Sequence, residues 1–210
     1  MNKSILLKNR PKGKPALSDF EITEIEKPSP KDGEILLQTK YISVDPYLRG
    51  RMRDEESYIP PFELNNPIES MLVAEVIESN NKDFKTGDVV SGMLKWELFQ
   101  THTGENLNKI DTNLAKPSAY LGILGLTGLT AHLALKHIGK PEKGETLVVS
   151  GAAGAVGSVA GQIGKIKGCR VVGIAGSDEK IDHIKEKFGY DAGINYKTTD
   201  NMQKAIEKNC

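Results

Sequence analysis

Three glycines at regular spacing, Gly151, Gly154 and Gly157, are the residues of this sequence best placed to do chemistry. They follow a short apolar run, Thr146–Ser150, of the kind that forms a strand buried on both faces. A helical pattern follows them, with Val156, Val159, Ala160, Ile163 and Ile166 on one face. Cys169–Ala175 then reads as a second strand, and the pattern ends in a third near Tyr196. A glycine turn between strand and helix lets the backbone approach a pyrophosphate, and the helix N-terminus adds free N–H groups and positive potential. The spacing is G-x-x-G-x-x-G rather than G-x-G-x-x-G, so the reading rests on the flanking elements more than on the glycines. Gly161 and Gly164 each cost the helix about 1 kcal/mol against alanine, which points to close packing of its backbone on the sheet.

The tip of the second strand bears on which dinucleotide would fit. An NAD site usually places Asp or Glu there, about twenty residues past the glycines, to hold the ribose 2′-OH. Here the tip reads Ile174-Ala-Gly-Ser177, without a carboxylate. Ser177 is a good N-cap for the next helix. Its N3 residue is Lys180, where a capping box would carry Glu. Two readings of Lys180 stand side by side. Asp178 and Glu179 simply offset an unfavourable first-turn cation, or the ammonium pairs with the extra phosphate of NADP. Asp178 keeps an NAD reading open, although it lies in the helix turn rather than at the strand tip.

Other chemistry is thinly represented. The chain has 2 cysteines, Cys169 and Cys210, and 4 histidines, at 102, 132, 137 and 183. Two cysteines make no disulfide framework and fit a reducing, cytoplasmic setting. His132 and His137 are not at the i, i+4 spacing of a helical metal pair, and each histidine reads as an ordinary surface or core residue. No Ser/His/Asp or Cys/His set has a recognisable nucleophile context.

The elements that must position these residues fall into two regions. In 210 residues, 38% are hydrophobic and 27% charged, with 28 basic and 28 acidic side chains. That balance fits a soluble globular protein and gives no sign of a nucleic-acid or membrane surface. The longest uncharged stretch, Ala119–Leu135, is a poor membrane span and reads as a buried helix leading into the nucleotide region. Residues 1–118 look β-rich, with prolines punctuating short strands; Glu34–Val44, Met71–Glu78 and Val89–Ser91 are the clearest. Ser43–Arg49 turns sharply at Pro46. The fold class is therefore α/β, with domains 1–118 and 119–210.

Five stretches in this order carry a family resemblance. They are Ser43-Val-Asp-Pro-Tyr-Leu-Arg49, Leu124-Gly-Leu-Thr-Gly-Leu-Thr-Ala131, Gly151-Ala-Ala-Gly-Ala-Val-Gly-Ser158, Ala175-Gly-Ser-Asp-Glu-Lys180 and Asn195-Tyr-Lys197. Together they resemble the zinc-independent medium-chain reductases, in the branch of leukotriene B4 12-hydroxydehydrogenase, prostaglandin reductase and alkenal double-bond reductase. The resemblance implies a GroES-like N-terminal domain and the first half of a Rossmann doubly wound parallel sheet, with NADP(H) as cofactor. It matches Gly154, Ala155, Val156 and Gly157 to the pyrophosphate loop, and Ser177, Lys180 and Tyr196 to the adenosine end. Tyr196 also reads as a strand-end core residue. Tyr47 matches a tyrosine near the substrate cleft, and reads equally well as a packed loop aromatic. Thr127 falls where the family approaches the nicotinamide, and reads more simply as a buried helix residue.

The implied reaction is hydride delivery from NADPH to the β-carbon of an α,β-unsaturated aldehyde or ketone, without a metal. A quinone reductase of the same superfamily is the alternative enzyme, and a catalytically incomplete nucleotide-binding fragment is the alternative of another class. Zinc members of the wider superfamily carry a cysteine near the first active-site loop and a later Gly-His-Glu; this chain has Ser43-Val-Asp45 and no Gly-His-Glu. Bulky residues over Ile68–Val73, where the family often has glycines, are expected to reshape the substrate pocket. Only three strands of a six-strand sheet are present. Catalytic residues are therefore expected beyond Cys210, and a homodimer is expected of the full-length form.

Overall fold

Period-two burial builds the first region. The computed structural model describes every residue from Met1 to Cys210. β1 (Asn2–Leu7) pairs antiparallel with β2 (Phe20–Ile25). Then come β3 (Ile35–Ile42), a short helix α1 (Pro46–Arg51), β4 (Glu69–Ser79), β5 (Val89–Lys95), β6 (Phe99–His102) and β7 (Asn108–Lys109). These strands form an antiparallel sheet in the order β6-β3-β4-β5-β7. Ile35 and Leu37 of β3, Leu72, Ala74 and Val76 of β4, and Val90 and Leu94 of β5 alternate onto one face and form its core. A second cluster, Leu7, Leu48, Met52, Phe62 and Ile68, seats α1.

The chain divides into two compact units, Met1–Leu121 and Gly122–Cys210. Ser118 lies within the 3-10 turn Pro117–Leu121 that ends the first unit.

The second unit begins with α2 (Leu126–Leu133), which runs into a π-helical turn, Ala134–Gly139. The uncharged stretch is thus not the single buried helix expected of it. Only Gly128, Ala131 and Leu135 of these two elements are buried, while Leu126, Leu129 and Leu133 are exposed. A run that is apolar all round has no hydrophobic period to show which face turns inward. The π turn closes on Lys140, a non-glycine residue in the left-handed region with φ 42°.

Beyond it come β8 (Thr146–Ser150), α3 (Ala155–Ile166), β9 (Arg170–Ala175), α4 (Asp178–Phe188), β10 (Ala192–Asn195) and α5 (Met202–Asn209). The three strands are parallel in the order β10-β9-β8. This is the alternating strand–helix pattern expected of half a doubly wound sheet. No helix is long and apolar enough to cross a membrane.

The packing of α3 corrects the expected face in part. Val156 is 38% and Ile166 85% exposed. The buried residues are Gly157, Gly161 and Gly164, a stripe at i, i+4 and i+7. A Cβ on Gly161 would enter the Tyr190 ring, and one on Gly164 would lie 2.6 Å from Leu147 Cδ2. The helix meets the sheet along its smallest residues, as the cost of Gly161 and Gly164 implied, and Ala160 of the apolar set packs on the same core while Val156 and Ile166 stay exposed.

Candidate functional site

The carboxyl ends of β8, β9 and β10 lie side by side, with Ser150 in register with Ile174 and Ala175 with Asn195. Ligands of open α/β sheets bind beyond such strand ends. From Ser150 the chain turns through Gly151, whose φ of 57° suits glycine. Ala152, fully buried, donates its N–H to Ile174 O at 3.1 Å, which ties the turn to β9. Gly154 N–H closes the turn onto Gly151 O at 2.8 Å, and Gly154 is the N-cap of α3.

Gly154 brings no side chain to accept from the helix, and no acceptor of the chain takes the N–H groups of Ala155, Val156 or Gly157. The other helices of the sheet differ. Ser177 caps α4 by accepting from Lys180 N–H at 3.3 Å, and Asn201 caps α5 by accepting from Lys204 N–H at 3.0 Å. The Gly154–Gly157 segment therefore offers backbone donors and positive helix-end potential, the combination that holds a phosphate. A Cβ on Gly157 would press into Gly151 O and lie 2.8 Å from Ala152 Cα, so the helix and its turn touch through bare backbone.

Two contacts fix α3 over the sheet. Tyr190, 3% exposed, donates its hydroxyl to Gly157 O at 2.7 Å. Burial pushes its pKa up to about 12, so it remains a neutral donor at ordinary pH. Nearer the other end of the helix, Lys165 Nζ bonds both carboxylate oxygens of Asp191 at 2.7 and 2.8 Å. Asp191 also accepts the Val171 N–H at 2.6 Å. Partial burial alone would raise the Asp191 pKa, but these two bonds outweigh it and hold the carboxyl below its usual range.

At the tip of β9 the structure gathers the residues singled out at the adenosine end. Gly176 lies against the Tyr196 ring: a Cβ there would be 2.8 Å from the tyrosine hydroxyl oxygen. Tyr196 N–H donates to Ala175 O at 3.1 Å, and the ring is 54% exposed, so it is not a core residue. Lys180 is exposed and joins none of the chain's ion pairs. Asp178 is engaged elsewhere, because Asn195 Nδ2 donates to its Oδ1 at 2.8 Å. Gly154 to Gly157, Ser177, Lys180 and Tyr196 thus share one end of one sheet.

Tyr47 belongs to the other unit, in α1. Its ring packs on the Leu7, Leu48, Met52, Phe62 and Ile68 cluster. Burial and then the nearby Asp45 carboxylate raise the phenol's pKa, which keeps it protonated. The turn that presents it is wired in. Trp96 Nε1 donates to Ser70 Oγ at 2.8 Å, Ser70 Oγ donates to Ser43 O at 2.8 Å, and Ser43 Oγ donates to Asp45 Oδ2 at 2.6 Å. Arg51 stacks 3.9 Å above the Phe62 ring. Thr127, half-buried in α2, donates its hydroxyl to Gly122 O at 3.0 Å, in the turn that leads into the helix. Met71, from the stretch with bulky residues, lines a cavity of about 270 Å³ with Met93, His102 and Leu107. No group of three His, Cys, Asp or Glu side chains is placed to hold a metal ion.

Tyr190 went unnoticed in the sequence, and Asn195, quoted within Asn195-Tyr-Lys197, was given no role of its own. The signals were faint: one aromatic just after the Gly189 helix end, and one amide closing an otherwise small, apolar strand.

The family model described as the N-terminal domain of oxidoreductase matches residues 3–110, and one described as zinc-binding dehydrogenase matches residues 155–210. YfmJ of Bacillus subtilis (strain 168) is 55% identical over 206 residues, covering 98% of this chain and 60% of the relative. The NADPH-dependent curcumin reductase of Escherichia coli (strain K12) is 42% identical over 209 residues, covering 100% of this chain and 60% of its own. The crystal structure of CurA from Vibrio vulnificus in complex with NADPH superposes with a TM-score of 0.90 at 40% identity, over 98% of this chain and 61% of that one. This chain therefore spans about three-fifths of the length of these relatives. It belongs to the medium-chain dehydrogenase/reductase superfamily, in the branch of the prostaglandin, alkenal and curcumin reductases.

Proposed function

We propose that the chain serves an NADPH-dependent reductase of the C=C bond of α,β-unsaturated aldehydes and ketones. The observation that carries the reading is the tip of β9. It has no carboxylate of its own, the nearby Asp178 is held by Asn195, and Lys180 stands without a partner. An exposed ammonium in that place favours a 2′-phosphate by charge-assisted hydrogen bonding. The uncapped N–H groups of Ala155, Val156 and Gly157, in a cradle that a Cβ at Gly157 would fill, suit the pyrophosphate. Tyr196, lying on Gly176, offers a ring face at the adenosine end.

When bound, NADPH supplies the hydride, which adds to the β-carbon of the enone. Negative charge then builds on the carbonyl oxygen, which needs a hydrogen-bond donor, and a proton completes the product at the α-carbon. The reading assigns Tyr47 to the substrate side, where a phenol kept protonated by burial is a donor at neutral pH. The glycine turn and α3 hold the dinucleotide in place, so the reaction gains from positioning.

The test has two parts. Fluorescence titration with NADPH and NADH is expected to show tighter NADPH binding. NADPH consumption is then measured with an alkenal and with a quinone, and faster turnover of the alkenal is expected. Equal affinity for the two dinucleotides removes the cofactor assignment. Preference for the quinone moves the activity to the alternative enzyme class, and binding without turnover of either restricts the chain to nucleotide binding.

A further inference from the structure

We infer that Asn195 determines cofactor choice by latching Asp178 away from the ribose site. The inference rests on the nucleotide reading above and deepens it. A carboxylate at the tip of the second strand is the group that recognises the ribose 2′-OH of NAD. The tip of β9 has none, but a carboxylate stands three residues on at Asp178, the first residue of α4 after the Ser177 cap. Left free, it would stand beside the 2′ position as a competitor for that hydroxyl and a repulsive neighbour for a phosphate.

Asn195 removes that option. It is the last residue of β10, in register with Ala175 at the tip of β9. Its Nδ2 donates to Asp178 Oδ1 at 2.8 Å, and its Oδ1 accepts the Lys197 N–H at 3.0 Å. The second bond fixes which end of the amide is oxygen, so the NH₂ group must face the carboxylate. Thr199 Oγ1 donates to Asn195 O at 2.7 Å and steadies the residue further. The latch therefore joins the first turn of α4, which carries Lys180, to the β10–α5 loop, which carries Tyr196. On α4, residues 178 and 180 are two apart and do not face each other, so Lys180 is not drawn into neutralising Asp178. The ammonium remains available while the carboxylate is turned toward β10.

The test measures dissociation constants for NADPH and NADH in four proteins: wild type, Asn195→Ala, Asp178→Ala and the double variant. Asn195→Asp is added, because it keeps an acceptor for Lys197 N–H while setting a carboxylate against Asp178. In Asn195→Ala and Asn195→Asp the ratio of NADPH to NADH affinity is expected to fall about tenfold, an ordinary coupling between groups in contact. In the Asp178→Ala background, removing Asn195 is expected to leave the ratio where it was. A purely structural role lowers both affinities together and is not rescued by Asp178→Ala. An unchanged ratio in both Asn195 variants overturns the inference, as does a fall that persists at full size without Asp178. A wild-type chain without NADPH preference overturns the underlying cofactor reading instead, and is told apart by the wild-type titration alone.

Discussion

Gly157→Ala adds a single methyl group where helix and turn touch through backbone. The new Cβ would press on Gly151 O and lie 2.8 Å from Ala152 Cα and 3.0 Å from Gly151 C. Carbon pairs prefer about 3.5–4.0 Å. The neighbours are backbone, and Ala152 is held to β9 by its N–H. Neither can swing aside as a flexible side chain would. Overpacking costs about 1–3 kcal/mol, and the gain in helix propensity returns about 1 kcal/mol. A net loss of up to about 2 kcal/mol is expected, and each kcal/mol lost lowers the melting temperature of a unit this size by roughly 4–8 °C. Gly154→Ala is the matched control. There a Cβ would meet only Gly151 O, at 3.1 Å, with φ −82° and ψ 171°, a conformation open to any residue. It is expected to cost well under half as much. Urea unfolding followed by circular dichroism reports the change, and Trp96, the one tryptophan and a residue of the first unit, gives an internal reference by fluorescence. NADPH affinity should fall in the same order. Equal stability and equal affinity of Gly157→Ala and wild type would refute the close approach of α3 to its turn.

Tyr190→Phe leaves Gly157 O without its buried donor, and a loss of about 1–3 kcal/mol is expected by chemical denaturation. Because burial raises this phenol from 10.0 to about 12, its contribution is whole below pH 10 and fades as pH climbs toward 12. Wild-type stability should thus decline through that window by roughly 2–3 kcal/mol more than that of Tyr190→Phe. Lys140→Gly relieves a left-handed residue at φ 42° and is expected to raise stability by about 1 kcal/mol, seen as a higher urea midpoint at unchanged slope.

The strand, glycine turn, helix and strand of the second unit were legible because each signal was local: apolar runs of strand length, glycines in the turn, Ser177 as a cap. Two misreadings share a cause. In α3 the sheet selects the smallest residues: the cost of Gly161 and Gly164 pointed to that packing, but hydrophobic periodicity also marked Val156 and Ile166, which are exposed. In Ala119–Leu135 every face looked apolar, and pattern gave no direction for a segment that breaks into a 3-10 turn, an α-helix and a π turn. The roles of Asn195 and Tyr190 were illegible for another reason. Their partners, Asp178 and Gly157, lie 17 and 33 residues away, and only the pairing of β9 with β10 and the packing of α3 bring them together.

Lys180→Ala tests the central claim most directly, by dissociation constants for NADPH and NADH measured side by side with the parent chain. A lost charge-assisted contact to a phosphate is worth about 1.5–3 kcal/mol, so NADPH should bind roughly ten- to a hundredfold more weakly while NADH is little changed. Equal losses for both dinucleotides, or none for either, would contradict a 2′-phosphate at the tip of β9.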